Sequence, residues 1–287
     1  MNVMKLRPLF FIISFSLLIT SILAIIFWNF KISIDFTGGT VWELQFSQAK
    51  DKSEIENIFQ ENEIELKSIV TIDQNSYQLK FKDIDQDTKL KLEESLFVLD
   101  EEMKELRFES LGPVLGKELL RKTIYAIILS SFALVWFIAS KFKDWTFGVS
   151  ALLANFHDVI IMIGSFSVLG RFFGAEIDSL FVTALLTILS LSVYDTVVTF
   201  DRIRDLKRQN FTIDWVSLSN KAVTETLNRS INTSLTSMFT LAALIILGGP
   251  ATRWFATALL IGFISGTYSS IGVAIPLVLF FKKFQKR

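Results

Sequence analysis

Asp195 is a carboxylate set inside an apolar run, residues 180–200, that is long enough to cross a membrane. An aspartate there costs roughly 2.5–3.5 kcal/mol on insertion scales, and its short side chain reaches the membrane surface poorly. It needs a counter-charge, a proton or water. Arg229 is the best partner. The span carrying Asp195 starts near Asp178, and the following one ends near Gly248 on the same side. At 1.5 Å per residue both side chains then lie about 26–28 Å from that side, so antiparallel neighbours hold them level as an ion pair. Ser192, Asp195 and Thr199 share one helix face, and Arg229, Thr233, Thr236 and Thr240 share another. Two hydroxyl-lined faces around a charge describe a hydrated ion path. Hydrogen bonding between helices accounts for the hydroxyls equally well, but less well for the Asp–Arg pair. Arg202, a competing partner, suits the headgroup level at the helix end.

A second pair, His157-Asp158, falls mid-span within residues 147–169. An imidazole beside a carboxylate is the chemistry of a proton relay. The same aspartate can equally accept a hydrogen bond from a neighbouring helix and do nothing else, and both readings stay open. Other chemistries fail on composition or spacing. The chain has no cysteine and one histidine, which excludes a thiolate nucleophile, a disulfide framework and a multi-histidine metal centre. Residues 112–118 are one residue short of a phosphate-binding loop and place Glu118 where a metal-binding hydroxyl is required. Tyr194-Asp195 matches half of an intramembrane aspartyl protease, yet the next span offers arginine instead of a second carboxylate. There is no HExxH helix and no serine triad. The expectation is a chain that is not an enzyme and uses no cofactor and no metal.

The elements that position these residues are mostly apolar. Of 287 residues 51% are hydrophobic, 28 are Phe, and 29 basic residues balance 29 acidic ones. Long uncharged runs with that Phe content make a membrane protein, and zero net charge argues against a nucleic-acid partner. Apolar runs at 9–28, 123–139, 147–169, 180–200, 231–247 and 256–281 give six spans. The first is read as uncleaved, because its apolar stretch is too long for a signal peptide and no small-residue cleavage site follows Trp28. One side of the short loops collects Lys5, Arg7, Lys141, Lys143, Arg202, Arg204, Lys207, Arg208, Lys221, Arg229 and the tail Lys282, Lys283, Lys286 and Arg287. The other has only Arg171 and Arg253. Positive residues stay inside, so both termini are expected in the cytoplasm and the large segment after the first span outside it. In the last span Gly262 and Gly266 form a small-xxx-small packing face, and Pro276 marks a kink.

Residues 31–122 change character. Strand patterns at 40–46, 66–72, 77–82 and 106–110 alternate with helical spacing at 52–60 and 87–102. The order β-α-β-β-α-β is that of a ferredoxin-like split βαβ unit. The fold class is therefore a membrane α-helical bundle of six transmembrane helices with a small α+β ferredoxin-like extracytoplasmic domain. Its parts are residues 1–30 (first span), 31–122 (α+β domain) and 123–287 (five further spans). Gly38 and Gly39, where the chain enters the first strand, suit a positive-φ turn or a close backbone approach.

Several motifs in order now carry a resemblance. Asp35-Phe-Thr-Gly38-Gly39-Thr follows the first span, and Glu109-Ser-Leu-Gly112-Pro113-Val-Leu-Gly116 precedes the second. His157-Asp158 lies in the third, and Tyr194-Asp195-Thr-Val-Val with Asp201-Arg-Ile-Arg204 in and after the fourth. Asn228-Arg229-Ser230 with Thr233 opens the fifth, and Leu247-Gly-Gly249 closes it. Together they resemble the SecD/SecF family of the bacterial Sec export machinery, on the side of the smaller partner chain. The resemblance implies a transporter fold of the resistance-nodulation-division type, with SecD supplying the other half. It implies an accessory subunit of the Sec preprotein translocase in the bacterial inner membrane. Its partners would be SecD, the SecYEG translocon, unfolded preprotein and membrane lipids, and its driving force the proton motive force. Asp195, Arg229 and Thr233 fall on positions that resemble the family's ion path, His157 and Asp158 are a possible relay, and Asp35, Gly38, Gly39, Gly112, Pro113 and Gly116 are motif residues. The competing readings are half of a proton-driven exporter of a lipid or small molecule, and a passive assembly subunit whose buried charges only fix helix register.

Overall fold

The computed structural model describes residues 2–209 and 212–285, so Lys286 and Arg287 of the basic tail lie outside the described residues. Helix α1 (Arg7–Trp28) is followed by the single turn α2 (Ile34–Thr37), β1 (Gly39–Gln45), α3 (Lys52–Glu61), β2 (Leu66–Asp73), β3 (Ser76–Phe81), α4 (Gln86–Leu99) and β4 (Lys104–Leu111). The rest is helical: α5 (Pro113–Phe142), α6 (Trp145–Phe173), α7 (Ser179–Gln209), α8 (Trp215–Leu247), α9 (Pro250–Ser269) and α10 (Ile275–Gln285), with a π-helical turn (Ser270–Ala274) before α10. Among the described residues six stretches are long and apolar enough to cross a membrane, the last formed by α9, the π-helical turn and α10 together. The chain divides into two compact units, Ile32–Ile124, and Met1–Lys31 with Tyr125–Arg287.

In the unit Ile32–Ile124 the strands form one sheet in the order β2-β3-β1-β4, antiparallel throughout. Period-2 alternation sends Trp42, Leu44 and Phe46 to the face shared by Tyr77, Leu79 and Phe81, with Trp42 opposite Leu79 and Leu44 opposite Tyr77. Helix α3 covers this face with Ile55 and Phe59, and α4 with Leu92 and Leu96, each pair four residues apart. Each of these large side chains contributes about 1.5–3 kcal/mol by leaving water. Both helices start at an aspartate cap: Asp51 accepts from the Ser53 amide at 3.2 Å and Asp85 from the Thr88 amide at 2.9 Å. Hydrogen bonding from Thr88 holds the Asp85 carboxyl below the usual range. Hydrogen bonding from Ser47 does the same for Asp100, which accepts from the Ser47 hydroxyl at 2.7 Å. Strand and helix limits differ from the sequence reading by three residues at most.

The two glycine motifs meet in this unit. Gly38 has φ +75° and Gly39 φ +141°, outside the range of ordinary side-chain-bearing residues. A Cβ on Gly38 would lie 2.5 Å from the Cα of Pro113, and one on Gly116 would lie 2.9 Å from the Gly38 nitrogen. Gly112 is different, because a Cβ there would meet nothing within 4 Å.

The membrane unit is organised on α6, α7 and α9, whose facing sides are buried. Helix α1 lies on α6, where the Ser167 hydroxyl donates to the Ala24 carbonyl at 2.8 Å. Helices α7 and α9 approach at Gly262, where a Cβ would sit 2.4 Å from Ile188 Cγ1. Helix α8 packs on α7 and α9, and α5 is exposed over most of its length. Pro276 can give no amide hydrogen bond, and the π-helical turn ends two residues before it, at Ala274. Helices α7 and α8 outrun their apolar runs. The extra turns of α8 bury Leu218, Ala222, Val223 and Thr226 at helical spacing with polar residues between, a pattern that hydropathy does not mark. Asp144 caps α6 and binds the buried Lys282 ammonium, which lies 4.9 Å from the Trp215 ring centre. Burial opposes ionisation of Asp144, but the hydrogen bonds from Lys282 and Thr146 outweigh it and leave its pKa lowered.

Candidate functional site

Asp195 stands half-buried on α7, facing α8. Ser230 donates its hydroxyl to Asp195 Oδ1 at 2.7 Å, while Asp195 Oδ2 is buried and has no hydrogen-bond partner. Arg229 turns the other way: its Nη2 donates to the Tyr194 hydroxyl at 2.6 Å, and the guanidinium lies 5.8 Å from that ring centre. The two residues are level, as the span arithmetic expects, but the expected Asp195–Arg229 ion pair is not formed. The reason is rotational. Consecutive helix residues point about 100° apart. Ser230 takes the inward position on α8 and Arg229 the exposed one, where Tyr194 offers its hydroxyl.

Asp195, Arg229, Thr233 and Ser192 line one cleft, together with Gly262 and Gly266 of α9. Its volume of about 60 Å³ leaves room for a few water molecules. The rest of the expected hydroxyl path is spent elsewhere. Thr236 donates to the Asn232 carbonyl and Thr240 to the Thr236 carbonyl. Thr199 lies 3.3 Å from the Thr226 hydroxyl and ties α7 to α8. Arg202 pairs with Glu225 of α8.

The second site centres on Asp158. Asp158 is 1% exposed and gathers three helices. Ser192 of α7 donates to its Oδ2 at 2.8 Å, Ser265 of α9 to Oδ1 at 2.6 Å, and Ser269 to Oδ2 at 2.7 Å. The adjacent His157 places Nδ1 3.1 Å from Oδ1, and its Nε2 is buried without a partner. Ser192 belongs to both sites, since it binds Asp158 and lines the Asp195 cleft. Ser230, Ser265 and Ser269 were not singled out from the sequence as site residues. The four-residue spacing of Ser265 and Ser269 within an apolar span was the available signal.

Among the described residues no group of three or more His, Asp or Glu side chains is arranged to hold a metal ion. Residues 91–284 match the family described as protein export membrane protein SecD/SecF, C-terminal. The protein translocase subunit SecF of Thermobaculum terrenum is 35% identical over 286 residues, covering 94% of this chain and 90% of that one. The protein translocase subunit SecDF of Thermus thermophilus is 34% identical over 265 residues, covering 90% of this chain and 35% of that longer one. The crystal structure of SecDF from that source, a translocon-associated membrane protein, superposes with a TM-score of 0.86 at 32% identity. The chain accounts for 99% of its own length in that superposition and 39% of the SecDF chain.

Proposed function

This chain belongs to the SecD/SecF family of protein-export membrane proteins, and on that premise we propose how its buried charges serve export. It is an accessory subunit of protein translocase. The relatives' names do not favour export of a lipid or small molecule. In our reading it works with SecD, which supplies the rest of what one SecDF chain holds, beside SecYEG in the bacterial inner membrane. Unfolded preprotein and membrane lipids are its other partners. Both termini are cytoplasmic, and the unit Ile32–Ile124 is a ferredoxin-like domain on the outer face, acting mechanically and not as a catalyst. The split βαβ order and the strand order β2-β3-β1-β4 support that fold, and the basic short loops support that orientation.

The driving step is a proton at Asp195, and one observation carries it: Asp195 Oδ2 is buried and bare while Arg229 rests on a neutral tyrosine hydroxyl. That arrangement suits a protonated Asp195. When the proton leaves through the cleft, the new carboxylate attracts Arg229 away from Tyr194, and Thr233 lines the space it crosses. Arg229 therefore has two partners, chosen by one proton, which is the two-state element an ion-driven machine needs. Asp195→Asn holds the protonated arrangement permanently. Export and proton flux are measured in cells lacking the native protein, with membrane abundance as control. We expect normal abundance with export and flux lost. Normal export at normal abundance refutes the proton step and leaves the buried charges a register-fixing role.

A further inference from the structure

The Asp158 cage lies outside the proton step just described. Three serine hydroxyls and the imidazole N–H fill the lone-pair positions of one carboxylate. A proton on Asp158 would turn one of these donors round into an acceptor, so four converging donors favour the anion in the cage. Among the described residues its only ion-pair partner within 4.0 Å is His157. The counter-charge available inside the cage is thus a proton on His157. With Nδ1–H turned to the carboxylate, the atom left to take it is Nε2, buried and without a partner.

We propose that His157 is a second intramembrane proton-binding site, held by the Asp158 cage, that gains its proton as Asp195 loses one. Nε2 takes a proton from water and returns it, and no bond between heavy atoms changes. His157 borders an open, largely apolar groove of about 520 Å³ lined by α1, α6, the π-helical turn and α10, whose other polar lining residue is Ser14. Coupling runs through Ser192, which touches Asp158 and stands one turn from Asp195 on α7. A negative charge arriving at Asp195 adds to that of Asp158 and favours the imidazolium.

The other titratable groups around the imidazole are few. Tyr268 of α9 lies 6.1 Å away between ring centres, with its hydroxyl donating to the Phe10 carbonyl. Helix α7 brings Tyr194 and Asp195, with Arg229 of α8 behind them. Between Pro8 and Trp28 α1 has no titratable side chain, the π-helical turn has none, and α10 has none before Lys282.

His157 is the sole histidine of the chain, so histidine-selective ¹⁵N labelling of the full-length protein in lipid bilayers yields one imidazole. Its two nitrogen resonances identify tautomer and protonation state directly. We expect the neutral Nδ1–H form at high pH and the imidazolium at low pH. We further expect Asp195→Asn to lower the imidazolium population by about tenfold at pH values where wild-type Asp195 is ionised, the order of one unit charge felt through a low-dielectric interior. A single neutral tautomer from pH 5 to 9 overturns the proton site. Identical curves for wild type and Asp195→Asn overturn the coupling. Only the coupling rests on the reading of Asp195 as a proton site: a flat His157 signal beside an export-dead Asp195→Asn removes this inference and leaves that reading standing.

Discussion

Gly38→Ala is the substitution whose cost can be worked most directly from distances. The new Cβ would sit 2.5 Å from Pro113 Cα and 2.7 Å from Pro113 N. Both are backbone atoms, so no rotamer change relieves the contact, and the two segments must part by about 1 Å to restore ordinary packing at roughly 3.4 Å or more. Forced overpacking of this kind costs about 1–3 kcal/mol. The φ of +75° adds about 1–3 kcal/mol for a residue with a Cβ. Together that is about 2–6 kcal/mol, against about 5–14 kcal/mol for a unit of this size. The assay is thermal unfolding of the segment Ile32–Ile124, made without the spans and followed by circular dichroism. At about 4–8 °C per kcal/mol, Gly38→Ala should melt at least about 8 °C below wild type or fail to fold. Gly112→Ala is the control, since a Cβ there meets nothing, and should stay within about 3 °C. Equal melting of the two variants refutes the steric reasoning. So does rescue of Gly38→Ala by Pro113→Gly, because glycine keeps the Cα that makes the contact.

Other outcomes follow from the same geometry. In the segment Ile32–Ile124 the folded pKa values of Asp85 and Asp100 lie below the unfolded ones, so their stabilisation is complete above the unfolded value of about 4 and is lost as pH falls through the folded values. Melting temperature should hold level from pH 7 to about 5 and drop below 4, with a shallower drop in Asp100→Asn; a fall confined to pH 5–7 contradicts this. Gly262→Leu drives a side chain into Ile188, and its overpacking cost of about 1–3 kcal/mol should lower membrane abundance. Unchanged abundance and protease resistance would show that α7 and α9 can separate freely. Lys282→Met strands the Asp144 carboxylate and should destabilise the membrane unit by about 3 kcal/mol, with partial recovery in Lys282→Met, Asp144→Asn. Recovery that is absent in the double variant argues that Lys282 acts through Trp215 instead.

What could be read from the sequence depended on whether a signal was local. Strand alternation in Trp42, Leu44 and Phe46 fixes one face by parity alone, so the α+β unit was legible almost residue by residue. The spans were legible from apolar length, but not the amphipathic turns that extend α7 and α8. Asp195 and Arg229 came out level with each other, because rise per residue is a single number. Their pairing did not, because it depends on rotation about two helix axes, and one residue of phase puts Ser230 where Arg229 was expected. The positive φ of Gly38 was legible as a possibility, while its contact with Pro113 joins residues far apart in the chain. The cage around Asp158 was the least legible feature. It needs α6, α7 and α9 to meet at one level, and serine is too common in membrane helices to announce that meeting.

The same cage sets a constraint on how the protein is made. Asp158 enters the bilayer with only His157 beside it. Ser265 and Ser269 lie 107 and 111 residues further along the chain. At about 5–20 residues per second the carboxylate waits roughly 5–20 s for its last two donors. Until then it must keep water or some passing hydroxyl, so α6 cannot be sealed against α7 as soon as both are inserted. The span formed by α9, the π-helical turn and α10 brings those two donors and so completes the cage.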